Sequence, residues 1–125
     1  MDSQSFVQAI IASAYDTAVS GTLKSLQSPA GRHPQGELLK LAAWLEALTP
    51  AQRTSARMAI AKACEQATYN VLLVLDGLLA AEDSREKGRL ELAYIRGDER
   101  TELNPSGGQP LSSLFKQLLE SRDRA

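Results

Sequence analysis

The sequence predicts an α+β fold, mostly α, with three helices, the third long and central, then a β-hairpin and a C-terminal helix. Three observations carry this. Ala67 to Glu82, ATYNVLLVLDGLLAAE, is a nearly unbroken apolar run with one carboxylate, Asp76, and reads as the central core helix. Thr49-Pro50-Ala51-Gln52 combines a capping hydroxyl, proline at the first helical position and glutamine three residues after the cap, which starts a helix. Leu90, Leu92 and Tyr94 alternate with Glu91, Ala93 and Ile95 before Gly97-Asp98 and a second short run, RTELN, as in a hairpin.

The elements follow in order. From Ser3 as N-cap, Val7, Ile10, Ile11, Ala14, Tyr15, Ala18 and Thr22 recur at helical spacing and predict a first helix over Ser5 to Leu26. Its stripe is shallow at Ala14, Ala18 and Gly21, so a neighbouring backbone can approach closely. Ser28 to Gly36, SPAGRHPQG, holds two prolines and two glycines and predicts a loop. Leu38, Leu41, Ala42, Leu45 and Leu48 line one side of a second helix over Gly36 to Leu48, with Glu37 and Lys40 opposite.

On the third helix, Ile60, Ala63, Cys64, Ala67, Val71, Val74, Leu75 and Leu78 fall on one arc at about 100° per residue, predicted to face inward. Gly77 is expected to bend it or to allow close packing. The hairpin should lay Leu90, Leu92 and Tyr94 on the helices, because two strands alone are marginal. NPSGGQP breaks the chain again, and Leu111, Leu114, Phe115 and Leu118 then restore helical spacing up to a charged, frayed tail.

With 125 residues the chain fits one domain, residues 1–125, able to bury roughly two thirds of its unfolded surface. Fourteen basic against fifteen acidic residues give a net charge of -1, without the basic excess that nucleic acid binding calls for. No nucleic acid partner is expected. Cys64 is the single cysteine, so no internal disulfide forms, and a buried thiol in a reducing cytoplasm is expected. The N-terminal MDSQSFVQAIIASAY has an acid where an export signal needs basic residues. The chain's longest apolar stretch, Val71 to Ala81, contains Asp76 and Gly77 and falls short of the roughly 20 residues that span a bilayer. The expectation is a cytoplasmic protein with no membrane partner.

Candidate chemistry centres on few residues. Asp76 is a carboxylate with either a structural or a functional role. Desolvation by Val74, Leu75, Leu78 and Leu79 would suit it to proton transfer, but the helical wheel favours a solvated carboxylate or one paired with Arg89, Arg96 or Arg100. Asp76, Glu82 and Asp83, with His33, would form a metal-dependent hydrolase site in the alternative enzyme reading, although their spacing matches no known cation loop. No catalytic, metal or cofactor residue is assigned, and no cofactor is expected.

Binding signals are better. Trp44 lies off the leucine face of the second helix, as interface anchors often do. Arg53 and Arg57 share the inward phase of the third helix at an end extending past the core, where they would meet an acidic partner. With Arg96 and Glu99 of the hairpin, these make the candidate partner-binding set. Homodimer formation through the hairpin edge is a further alternative.

NVLLVLDGLLAAED, LELAYIRGDERTELNP and LSSLFKQLLE together resemble small uncharacterised bacterial proteins with an apolar helix, an L-D-G element and a similar C-terminal half. That resemblance implies an immunity-like or antitoxin-like partner of a secreted toxin, acting by steric cover. It transfers no functional residue, and the N-terminal half shares no such likeness. The sequence thus predicts a small protein that works by binding another protein.

Overall fold

Capping chemistry, more than propensity, sets where the helices of this chain begin and end. The computed structural model describes residues 1–28, 36–86 and 88–124. They form α1 (Ser3–Ile10), a π-helical segment (Ile11–Asp16), α2 (Thr17–Gln27), α3 (Gly36–Ala47), α4 (Pro50–Leu75), β1 (Ala93–Arg96), β2 (Glu99–Glu102) and α5 (Leu111–Arg124). The predicted α+β class, with an antiparallel hairpin and a C-terminal helix, is the observed one. Two compact units result, one from Met1–Ala14 with Gln66–Ala125 and the other from Tyr15–Glu65.

Asp2, and not Ser3, caps α1. Its Oδ1 accepts the Ser5 N–H at 2.8 Å, and that bond holds the carboxyl below its ordinary range. Ser3 donates its hydroxyl to the Leu103 carbonyl at 2.6 Å instead. The predicted stripe holds at Val7, Ile10, Ile11 and Tyr15 and fails at Ala14, Ala18 and Thr22. Val7 and Ile11 are buried, but Ala14, Ala18 and Thr22 are exposed, whereas Tyr15, Val19 and Leu23 are half-buried and Leu26 is buried.

The π-helical segment lies where the stripe changes. A single π turn accommodates one extra residue, which rotates everything after it by about 100° relative to an unbroken α-helix. Tyr15, Val19, Leu23 and Leu26 lie about that far from the Val7–Ile11 stripe on a regular wheel. Each side of the segment thus carries its own stripe, Val7 with Ile11 in the first unit and Val19, Leu23 and Leu26 in the second.

α4 departs from expectation in its end and its face. The predicted core helix runs to Glu82, but α4 stops at Leu75, and Leu78 and Leu79 are exposed beyond it. Gly77 neither bends the helix nor packs closely, because it is the terminator. It adopts φ 75°, its N–H donates to the Val74 carbonyl at 3.1 Å, and the Leu78 N–H donates to Leu73 at 2.9 Å. This is the Schellman arrangement, which favours glycine because a Cβ is strained there. Gly77→Ala is expected to cost about 1 kcal/mol, read as a lower urea midpoint with an unchanged slope.

The inward face of α4 is also rotated from the predicted arc. Ala63, Ala67 and Val71 are exposed, while Ala61, Glu65 and Thr68 are half-buried and Leu72 is buried. Alanines lie on every side of this helix, so hydrophobic spacing does not fix its phase.

In the first unit α1 packs on α5, and among the described residues the core comprises Val7, Ile11, Leu72, Leu103, Leu111, Phe115 and Leu119, with Ser112 the buried polar residue. Lys116 Nζ sits 4.6 Å from the centre of the Tyr69 ring, a cation–π contact between α5 and α4. The hairpin turns at Gly97-Asp98 as predicted, with Arg96 opposite Glu99 and φ positive at Gly97 alone, the pattern of a type II′ turn. Leu92 and Tyr94 are half-buried, but Leu90 is exposed and Leu103 supplies the buried contact instead. α5 continues through the charged tail that was expected to fray, as far as Arg124.

In the second unit α2 packs on α3, and Leu26 and Leu45 are its buried residues among those described. Leu38, Ala42 and Leu48 are half-buried as predicted, but Leu41 is exposed. Thr49 and Gln52 form the predicted reciprocal cap. The Gln52 N–H donates to Thr49 Oγ1 at 3.2 Å and the Thr49 N–H to Gln52 Oε1 at 2.9 Å. The loop predicted over Ser28 to Gly36 lies almost entirely outside the described residues.

Candidate functional site

Asp76 follows the last residue of α4, where the Schellman turn leaves its side chain free to reach another element. Its Oδ1 accepts the Leu111 N–H at 2.7 Å, and its Oδ2 accepts the Ser112 N–H at 2.9 Å and the Ser112 hydroxyl at 2.5 Å. The carboxylate therefore caps the first turn of α5, where unpaired N–H groups and the helix dipole favour a negative charge. Among the described residues it pairs with no arginine. Arg89 bonds Glu102 at 2.6 Å and the Asn104 carbonyl at 2.8 Å, and Arg100 bonds Glu91 at 2.8 Å. The Arg100 pair pulls the Glu91 carboxyl below its ordinary range and raises Arg100 in turn.

Asn104 is a second fastener that sequence reasoning missed. Its amide NH₂ donates to the carbonyls of Leu75 at 2.7 Å and Leu90 at 2.9 Å, while its Oδ1 accepts the Leu92 N–H at 2.8 Å. One side chain thus ties the end of α4 to both flanks of the strand approach. The available signal was Asn104-Pro105, a turn-initiating pair whose asparagine had to bond something nearby.

Asp76 and Asn104 line a cup of about 340 Å³, bounded by residues 74–82, 88–90 and 104–110. Its polar groups are largely committed to the fold. Asp76 holds α5, Asn104 holds the hairpin, and Glu82 Oε1 accepts the Gly88 N–H at 2.7 Å. Among the described residues no three His, Cys, Asp or Glu side chains come together as a cation would need. His33, the proposed partner of that set, lies outside the described residues. Cys64 is half-buried on α4.

The partner-binding candidates fall in three places. Trp44 of α3 is 50% exposed and walls a shallow groove with Leu48, just past the end of α3, and Ala51, Gln52, Ser55, Ala56 and Ala59 of α4. Small residues on α4 make a low floor, and the indole stands over it. Arg53 and Arg57 line a different depression that shares no residue with the Trp44 groove. Arg53 also donates to the Glu46 carbonyl at 2.7 Å, which satisfies an end group of α3. Arg96 and Glu99 face each other beside the hairpin turn, both exposed, in the other unit.

Among the described residues no helix is long and apolar enough to cross a membrane. No known protein family, curated protein or solved structure matches the chain, so its function must be read from its own residues.

Proposed function

We propose that the protein acts by binding another protein through the face of α3 and α4 centred on Trp44. The observation that supports this is the imbalance of the second unit. It buries only Leu26 and Leu45 among its described residues, yet leaves Leu41 at 42%, Trp44 at 50% and Met58 at 65% exposed. Leu41 lies one turn before Trp44 on α3, and apolar side chains exposed together are a common feature of surfaces that another chain covers. A half-exposed tryptophan above a floor of small residues has the form of an interface hot spot.

A toxin held inactive by steric cover is the kind of partner that the resemblance of the C-terminal half implies. The test is capture of a stoichiometric partner from lysate of the native host by the tagged protein and by Trp44→Ala. The variant is expected to bind at least about tenfold more weakly, a loss of about 1.4 kcal/mol, with an essentially unchanged melt. Loss of the cooperative melt in Trp44→Ala would instead assign the indole to the fold and end this reading. A solution mass that doubles with concentration, with no foreign partner retained, would assign the face to a second copy of the chain.

A further inference from the structure

Leu26 and Leu45, buried in the second unit, are also walls of an open cleft of about 230 Å³. Ala42 extends the apolar wall, and Gln27, Glu46, Arg53 and Arg57 complete the lining. Protein interiors are close-packed, and a lining without partner atoms forgoes their dispersion contacts. The unit therefore gains from anything that fills this space.

The cleft also carries charge. Arg53 and Arg57 stand one turn apart on α4, so their side chains emerge about 6 Å from each other. Among the described residues neither forms an ion pair, although the Glu46 side chain shares the lining. Arg53 gives one N–H to the Glu46 carbonyl and keeps the rest of its donor fork.

We propose that this cleft binds an aliphatic carboxylate, with the apolar body against Leu26, Ala42 and Leu45 and the oxyanion across Arg53 and Arg57. Paired guanidinium groups suit the planar, two-oxygen geometry of a carboxylate. The site is separate from the Trp44 groove and does not depend on the binding role proposed for it. A free short-chain acid and the C-terminal residue of a peptide share this chemistry.

The test titrates the full chain with hexanoate and with acetyl-glycyl-leucine, each beside its neutral primary amide. At least one acid should saturably shift the backbone amide resonances of Leu26, Ala42 and Leu45 and raise the melting temperature. Its amide should bind at least about tenfold more weakly. Preference for hexanoate identifies a free acid, and preference for the dipeptide identifies a chain terminus. Arg57→Gln, at an exposed position, should erase the advantage of the acid over its amide. Ala42→Leu should fill the cleft and abolish binding while the protein still melts cooperatively. Amides that bind as well as the acids, or acids that leave all three resonances unmoved, would overturn the proposal.

Discussion

Truncating Leu26 to alanine is expected to unfasten the second unit. Leu26 is buried on α2, which packs on α3, and among the described residues of that unit Leu45 is the other buried side chain. Removing a buried leucine side chain loses its transfer free energy and leaves a cavity, so the cost should be about 4 kcal/mol. The loss should concentrate in that unit. Hydrogen exchange would show α2 and α3 losing protection while α5 keeps most of its own. A Leu26→Ala variant with α2 and α3 amides as protected as in the parent would refute this account of the second unit.

Replacing Asp76 by alanine should have the next largest effect, and should act on the first unit. Three hydrogen bonds to the start of α5 disappear, and the N–H groups of Leu111 and Ser112 lose their partner in a region where Leu111 is 0% and Ser112 2% exposed. Bonds to a charged acceptor are worth more than neutral ones, and a stranded buried donor adds its own penalty. The expected cost is about 3 kcal/mol, or a drop of about 10 °C in melting temperature. Asp76→Asn should fall between the two, because one oxygen still accepts while its NH₂ confronts a donor. If Asp76→Ala melts as the parent does, with Leu111 and Ser112 equally protected from exchange, the carboxylate is not the fastener described here.

These expectations also mark how far the sequence could be read. Helix starts written in neighbouring residues were legible, as with Thr49 and Gln52, because both halves of the cap lie within four positions. The end of α4 was not, since Leu78 and Leu79 prolong the apolar run past Gly77 and mask its role as terminator. The face of α4 was hidden by alanines on all sides. For the π-helical segment the sign was present but needed a different template, because Val7 with Ile11 and Val19 with Leu23 and Leu26 form two stripes that no single α-helix aligns. Trp44 was legible as an oddly placed aromatic. Asp76 was legible only as an anomaly, because its partners lie 35 and 36 residues onward, beyond any local pattern.

The bond from Ser3 to Leu103 and the packing of α1 on α5 impose an order on biosynthesis. The residues of the second unit lie between the two parts of the first, so α2, α3 and the start of α4 leave the ribosome with their partners already at hand. Val7 and Ile11 must wait, uncovered, until Phe115 and Leu119 have been made. Closing a loop of 100 residues is slow compared with pairing neighbours. Nascent chains of this protein therefore pass through a stage in which one half is assembled and the N-terminal helix is an exposed apolar segment, open to chaperones and to aggregation.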